Sequence, residues 1–296
     1  MDVNRRNFVR GAAAGAAGTA LAGGLLIGGA RSDAAASRSG VSPDQPSYEF
    51  DGEHQAGILR PAPANMQSFA SVTSFDLTAK NRDQLVGLLK ALTERARLMT
   101  HGGPVNDSGV GRPPLDSAVL GNAMPADGLT VTVSLGASVF DERFGLQKLR
   151  PLHLTPMRVF PNDSPMPEWT GGDVMLQLCA NNPDTIHHAI RDITRHTRAG
   201  MQIRWKMQGY SSPPRDAGSS RNLLGFKDGS ANPTPTEAGP LIWVDDASEP
   251  AWTRGGSYQV VRLIRMLVEF WDRVSINEQE GMFGRRRESG APMDGN

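Results

Sequence analysis

One short stretch concentrates the residue types that could do chemistry: GFKDGSANP, residues 225–233. It places one carboxylate, Asp228, between two glycines, with Ser230 and Asn232 at alternate positions after it. Three interpretations suit these residues: a surface turn, a cation-binding loop, or the edge of a cofactor site. Gly, Asp, Asn and Pro are typical turn residues, so the first interpretation needs no ligand at all.

The cation-loop interpretation fails at two later positions. Asp228, Ser230 and Asn232 have the one-three-five spacing of an EF-hand calcium loop. Such a loop also needs glycine at its sixth position and a bidentate glutamate at its twelfth, where this chain has Pro233 and Gly239. The pattern therefore argues against calcium.

The cofactor interpretation gives Asp228 a chemical role. A glycine such as Gly229 has no Cβ, so its backbone can approach a flat ring closely. A single carboxylate in a confined pocket can act as acid and base if the substrate is small and brings its own proton, as hydrogen peroxide does. On these residues alone, the turn and the cofactor site both remain open.

Composition excludes several other classes of function. The chain of 296 residues has 31 basic and 31 acidic side chains, so no field of one sign attracts nucleic acid or anionic lipid. Hydrophobic residues make up 39%, which is typical of a folded globular chain rather than a membrane bundle. Cys179 is the only cysteine, so we expect neither an intrachain disulfide nor a cysteine-based metal cluster.

Residues 1–36 have the layout of an export signal peptide. Arg5 and Arg6 precede a stretch of uncharged, glycine- and alanine-rich sequence over 11–30, and the small-residue run Ala34-Ala35-Ala36 comes shortly after it. Paired arginines before a weakly hydrophobic stretch predict recognition by the twin-arginine export machinery, cleavage near Ala36 and a periplasmic location. The stretch has too few large apolar residues to predict a stable membrane span.

Beyond the signal, the sequence divides into four parts. A flexible lead-in over 37–48 is followed by a first domain over 49–209. A Pro/Ser/Gly-rich linker over 210–220 then leads to a second, partial domain over 221–296.

The first domain shows the element order β-α-β-β-α-β. Apolar periodicity predicts strands over 69–77, 129–136, 174–180 and 201–209, and helices over 81–99 and 185–198. Asn81 and Asp184 are the expected N-caps of the two helices. This order is typical of the ferredoxin-like pattern, an α+β fold with helices on one face of an antiparallel sheet.

The second domain contains fewer elements and therefore looks incomplete. The sequence predicts a short strand over 240–244 and a strand over 258–268 that is apolar on both faces. Ser275 and Glu278 have the spacing of a capping box, which predicts a helix over 276–286.

The segment RNLLGFKDGSANP, residues 221–233, resembles the Gly-x-x-Asp-Gly signature of the dye-decolourising, or DyP-type, haem peroxidases. It is most similar to their exported, iron-transport-associated branch, the deferrochelatase/peroxidases. Other segments resemble the same family in the same order: GEHQAGI (52–58), SVFDERFGL (138–146), GGSYQVVRLIRM (255–266) and FWDRVSINEQEGMFGR (270–285). The resemblance implies two tandem ferredoxin-like domains with antiparallel sheets, like a dimeric α+β barrel, and haem b in the C-terminal domain.

The resemblance also implies roles for residues. Asp228 would be the distal carboxylate, which takes a proton from hydrogen peroxide and returns it to the leaving oxygen. Gly229, Ser230 and Ala231 would line the haem. A reducing substrate, a homo-oligomer and a part in iron uptake by release of iron from haem are further implications of the resemblance.

The proximal haem ligand of the family is a histidine downstream of the signature, and this chain has no histidine after Asp228. The histidines present are His54, His101, His153, His187, His188 and His196, for which solvated or packing roles are expected. We therefore expect a C-terminally truncated chain that lacks the segment with the proximal histidine and the distal arginine. The alternative function is an inactive remnant, or a non-enzymatic association or porphyrin-binding module.

Replacing both Arg5 and Arg6 by lysine should leave uncleaved precursor in the cytoplasm, because the export route reads the arginine pair rather than the charge. Cell fractionation followed by immunoblotting measures the outcome. The matched control, Arg10→Lys, should be exported and cleaved normally. Normal export of the double variant would contradict the assignment.

Overall fold

The structure, a computed structural model, describes residues 47–59, 66–106, 108–215, 219–229 and 232–295. The predicted signal peptide over 1–36 lies outside the described residues, as does all but the end of the lead-in. Among the described residues, no helix is long and apolar enough to cross a membrane.

Four strands form one antiparallel sheet: β1 (Phe69–Leu77), β4 (Thr130–Leu135), β5 (Val174–Ala180) and β6 (Met201–Tyr210). Their order across the sheet is β4-β5-β1-β6, so the first and third of these strands lie at its centre, as the ferredoxin-like pattern requires. The predicted α+β fold class and all four strands of the first domain are confirmed. Between the first helix and β4, the chain additionally contains a small strand pair, β2 (Gly103–Pro104) with β3 (Ala123–Met124).

Two helices cover one face of this sheet: α1 (Arg82–His101) and α2 (Pro183–Thr197). The Asn81 side chain accepts a hydrogen bond from the amide of Gln84 at 3.0 Å, which confirms the predicted cap of α1. The predicted cap of α2 was wrong. Asn182 occupies the N-cap position and Pro183 the first turn, so Asp184 lies inside the helix.

The core lies between these helices and the sheet face that they cover. Its most deeply buried large side chains, each at most 2% exposed, include Phe75, Leu92, Leu176, Leu178, Ile186 and Ile193. Strand residues at alternate positions and helix residues at spacings of three and four supply them. The first part of the chain therefore has a core of its own.

The segment GEHQAGI closes the β4 edge of the sheet. The Gln55 side chain donates to the carbonyl of Val133 at 3.0 Å and accepts from its amide at 2.9 Å, as a neighbouring strand would. Thr132 Oγ1 donates to the carbonyl of Ala56 at 2.8 Å. Gly57 has φ 90°, and a Cβ there would lie 2.8 Å from Thr132 Oγ1. Only glycine fits this close approach.

A buried carboxylate, Asp173, holds the turn SVFDERFGL against the sheet. It accepts hydrogen bonds from Arg143 Nη2 at 3.0 Å, from Ser138 Oγ at 2.6 Å and from the amide of Leu77 at 2.9 Å. Burial alone would raise the pKa of the Asp173 carboxyl, but these hydrogen bonds lower it below its ordinary value. The charged form therefore stabilises the fold.

One of the two strands predicted beyond residue 220 is replaced by a helix. Residues Pro235–Ile242 form helix α3 instead of contributing to a strand over 240–244. Thr234 and Glu237 form a capping box, which satisfies amides at the helix start and favours the helix. The prediction was wrong because this local capping signal outweighs the apolar composition of the following residues.

The other predicted strand, over 258–268, is also wrong. Residues 258–267 form no regular element, and no strand within the described part of the chain pairs with them. Val260 and Ile264 are 66% and 67% exposed. Helix α4 (Val268–Trp271) follows.

The last predicted helix is confirmed as α5 (Ile276–Phe283), with the Ser275–Glu278 capping box in place. It ends at Gly284, whose φ of 65° stops the helix before the predicted residue 286. The domain boundaries at 49–209, 210–220 and 221–296 stay predictions.

Replacing Asp173 by alanine should lower the free energy of unfolding by about 3 kcal/mol, because the buried amide of Leu77 loses its acceptor and Arg143 loses one of its two carboxylate partners. Chemical denaturation at neutral pH measures this loss. The exposed ion-pair residue Asp51 is the control, and Asp51→Ala should have a much smaller effect.

The loss should also depend on pH. The folded-state pKa of Asp173 is lowered, so its contribution is present above the unfolded-state pKa of about 4 and is lost as pH falls below it. A difference between wild type and Asp173→Ala that stays constant from pH 7 to pH 3 would contradict the assigned role.

Candidate functional site

The Asp228 loop, residues 221–234, begins as a tight hairpin. Residues 230 and 231 of this loop lie outside the described residues. Arg221 and Lys227 form an antiparallel bridge, and the Asn222 side chain accepts hydrogen bonds from two amides within the turn, those of Leu224 at 3.0 Å and Phe226 at 3.2 Å. An asparagine that bonds to backbone further along the chain is typical of a fixed turn. The backbone leading into Asp228 is therefore well defined.

An aromatic cluster of Phe226, Trp271 and Phe283 anchors this hairpin. Phe226 is 2% exposed and stacks on Phe283 with ring centroids 4.1 Å apart and an interplanar angle of 7°. Trp271 meets the Phe226 ring edge-on at 6.1 Å and donates its indole N–H to the carbonyl of Leu224 at 3.1 Å. The residue two positions before Asp228 is thereby buried and fixed.

Arg221 joins the hairpin to the chain beyond α5. Its Nη1 donates to the carbonyl of Gly225 at 3.0 Å and to that of Arg287 at 2.6 Å. Its Nη2 donates to the carbonyl of Glu288 at 3.1 Å. These donors go to main-chain oxygens, so Arg221 has a structural role.

Asp228 itself is held by its main chain. Its amide donates to the carbonyl of Ser220 at 2.8 Å, and its side chain is exposed. Within the described part of the chain, its carboxylate makes no hydrogen bond or ion pair. Gly229 has φ 72°, a backbone conformation that favours glycine.

The predicted site residues are therefore only partly placed. Asp228 and Gly229 are adjacent and exposed, whereas Ser230 and Ala231 lie outside the described residues. The confined pocket expected around Asp228 is not formed by the described residues. A cavity of about 180 Å³ lies elsewhere, between α1, β4 and residues 48–56, and no described residue of the Asp228 loop lines it. The catalytic role of Asp228 stays a prediction.

The far end of the Asp228 loop continues into α3. This helix ends at a contact between Trp243 and His54, which the sequence did not predict. Trp243 follows the last residue of α3, and its ring stacks on His54 with centroids 3.6 Å apart and an interplanar angle of 2°. His54 Nδ1 also lies 2.7 Å from the carbonyl oxygen of Gly255, 201 residues away. No local spacing could reveal a contact between residues so far apart in the chain.

The other histidines have partners away from the Asp228 loop, or are exposed. His188 is buried, with Nε2 2.6 Å from Asp116. His101 and His196 contact main-chain oxygens of their own helices, His153 lies beside Glu249, and His187 is exposed.

The described residues do not fit a haem by themselves. None of the six histidines lies at the Asp228 loop, and no group of three ligand-type side chains suited to a metal occurs among the described residues. What the loop offers is one exposed carboxylate on a fixed backbone.

Glu249 and Tyr258 form a hydrogen-bonded pair with a structural role, away from the Asp228 loop. Glu249 accepts hydrogen bonds from Tyr258 Oη at 2.7 Å and from the amide of Leu152 at 2.8 Å. Burial and the bond to Glu249 raise the pKa of Tyr258 to about 12. The pair ties residues 249–258 to the first part of the chain.

Two family models match this chain. The N-terminal model of Dyp-type peroxidases matches residues 55–211, and the C-terminal model matches residues 219–296.

Among curated relatives, the Deferrochelatase of Yersinia pestis bv. Antiqua (strain Nepal516) is 46% identical over 290 residues, which cover 92% of this chain and 65% of the relative. The Deferrochelatase of Escherichia coli O6:K15:H31 (strain 536 / UPEC) is 44% identical over 303 residues, which cover 99% and 70%. The chain thus spans about two thirds of the length of these relatives.

A solved structure with the same fold is the DyP-type peroxidase from Cellulomonas bogoriensis. Its TM-score is 0.73 at 33% identity, and the match covers 85% of this chain and 67% of that one. The likeness extends beyond the first part of the chain.

Haem added to the chain of 296 residues should not acquire a histidine ligand, because each histidine lies away from the Asp228 loop. The absorption spectrum of the purified mixture measures this. Added imidazole is the control for the spectrum of nitrogen-ligated haem. A stoichiometric, histidine-ligated haem without imidazole would contradict the expectation, and single histidine-to-alanine variants would then identify the ligand.

Proposed function

The chain belongs to the family of Dyp-type peroxidases, and from that premise we propose that the protein is a haem-dependent peroxidase. Its substrates would be hydrogen peroxide and a reducing compound. The observation that carries the proposal is the Asp228 loop, whose sequence resembles the family signature. Its backbone is anchored at both ends while the Asp228 carboxylate remains exposed.

Asp228 is the proposed proton acceptor. Its carboxylate makes no hydrogen bond or ion pair with the described residues, and its side chain is exposed to a small substrate. It would take a proton from one oxygen of hydrogen peroxide and return it to the other, which leaves as water. The bound haem would supply the two electrons that breaking the O–O bond requires and would take the remaining oxygen. A fixed main chain limits the positions from which this exchange can occur.

Haem b would supply the redox chemistry, with Gly229, Ser230 and Ala231 lining it. The described residues support no step at the iron, because none of them is placed as its ligand. Release of iron from haem is proposed as a further activity, since the curated relatives are named Deferrochelatase.

We also propose that the protein is exported to the periplasm by the twin-arginine machinery and assembles as a homo-oligomer. The proposed export rests on Arg5 and Arg6 and on the glycine- and alanine-rich stretch behind them. The proposed oligomer rests on family resemblance.

Non-enzymatic association or porphyrin binding is a second candidate function, favoured by a specific observation. Several large apolar side chains between residues 258 and 270 are exposed: Tyr258, Val260, Leu263, Ile264, Leu267, Val268 and Phe270. Exposed apolar surface of this kind is typical of a region that contacts another molecule.

The test separates acid–base chemistry from haem binding. A chimera would join residues 1–296 to the part of the Yersinia pestis relative that this chain does not match. In the haem-loaded chimera, Asp228→Asn should keep the haem absorbance and lower the rate constant for reaction with peroxide by a factor on the order of 10²–10⁴. Stopped-flow absorbance measures both quantities.

Asp245→Asn is the matched control, because Asp245 is also exposed and follows α3. It should react at the parental rate. If Asp228→Asn also reacts at the parental rate, Asp228 is not the proton acceptor. A parental chimera that binds haem without any peroxide turnover would favour the second candidate.

A further inference from the structure

We infer that His54 is a positioning residue for the Asp228 loop, and that it acts through Trp243 and helix α3. The sequence places His54 in the segment GEHQAGI, far from the signature. In the structure, this segment contacts Trp243, at the end of the helix α3 that follows the loop. The inference matters for catalysis only if the proposed function of Asp228 holds.

The first step is the contact between His54 and Trp243. Both rings are partly buried and nearly parallel, and with their centroids 3.6 Å apart they are in van der Waals contact. Because Gly255 offers a carbonyl oxygen at 2.7 Å, His54 Nδ1 must carry the proton and donate it. The His54 ring is thus held by stacking on one face and by a hydrogen bond at its edge.

The second step is the main-chain frame around Trp243. Trp243 pairs with Ser257 in an antiparallel bridge. The amide of Val244 donates to Gly256 at 2.9 Å, and the amide of Gly255 donates to Val244 at 3.1 Å. Trp243 is therefore held between this short ladder and the ring of His54.

Gly255 makes the fit specific. Its φ is 75°, and a Cβ there would lie 3.2 Å from the carbonyl oxygen of Glu53 and 3.5 Å from His54 Nδ1. A larger residue would push the GEHQAGI segment away from Trp243. The two segments are thus fitted to each other.

The third step leads from Trp243 to Asp228 through α3. This helix has eight residues and includes Gly239 and Pro240, both unfavourable inside a helix. So short a helix is not stable alone and depends on its ends. Its first end has the Thr234–Glu237 capping box, and its last end has Trp243.

The Asp228 loop therefore has two anchors. The aromatic cluster around Phe226 holds the start of the loop, and α3 holds its far end. The amide of Asn232 donates to the carbonyl of Gly229 at 3.3 Å, which brings that end next to Asp228. Loss of the His54 ring would leave Trp243 held by the main-chain ladder alone, which should loosen α3 and weaken the second anchor.

Amide hydrogen exchange on the chain of 296 residues tests this coupling without haem or peroxide. His54→Ala should speed exchange over residues 232–243 at least about tenfold, while amides of β1 and β5 stay unchanged. His54→Phe, which keeps an aromatic ring on Trp243, should restore most of the protection. His101→Ala is the matched control, because His101 also bonds to a main-chain oxygen but lies at the end of α1.

A second readout follows Asp228 itself. The amide NMR signals of Asp228 and Gly229 should shift in His54→Ala and return towards their wild-type positions in His54→Phe. Unchanged exchange and unchanged signals in His54→Ala would overturn the inference. Equally faster exchange in β1, β5 and α3 would also overturn it, because His54 would then act only on global stability.

These outcomes are independent of the proposed function. If the chimera shows no role for Asp228, the coupling of His54 to the loop is still tested by amide hydrogen exchange. If exchange shows no coupling, the role of Asp228 as proton acceptor is unaffected.

Discussion

The role proposed for Asp228, proton exchange with a substrate, sets one constraint: the carboxylate must be fixed in space while its oxygens stay unbonded by its own protein. The structure meets it by holding the main chain. The amide of Asp228 is bonded to Ser220, and Phe226 is buried two residues earlier. Nothing in the described part of the chain bonds to the carboxylate itself. The main chain of Asp228 thus fixes its position, while its carboxylate stays unbonded by the described residues.

The other notable carboxylates show the opposite arrangement. Asp173 and Glu249 are each 7% exposed, and each accepts several hydrogen bonds. In both, burial would raise the pKa of the carboxyl, but the surrounding donors lower it. Such groups stabilise the charged form and join separate segments. The number of donors around a carboxylate therefore distinguishes those that hold the fold together from Asp228.

The two parts of the chain depend on their mutual contacts to different degrees. The first has a four-stranded sheet, two long helices and a buried core. The second has short helices and many exposed apolar side chains. It is tied to the first part at three contacts: His54 on Trp243, Leu152 on Glu249, and the indole of Trp252 on the carbonyl of Leu149 at 2.9 Å. Contacts with the first part thus add to the small aromatic cluster around Phe226, which the described second part builds from its own residues.

The sequence by itself determined the elements whose signals are local. The strands over 69–77 and 174–180 were predicted at their observed bounds, because alternation reports directly on a half-buried strand. Capping residues located the starts of α1 and α5. The Asp228 signature was likewise readable, since it is one continuous stretch.

Only the tertiary structure decided what depends on distant partners. Residues 258–268 have the composition of a strand, but a strand exists only where another chain segment pairs with it. Whether the Asp228 side chain is buried or exposed depends on how distant segments of the chain pack near it, and local sequence carries no signal for that packing. The contact of His54 with Gly255 spans 201 residues. The spacing of residues along a sequence indicates which of them are neighbours within one helix or strand. Contacts between distant segments, such as this one, depend on how the folded helices, strands and loops pack together.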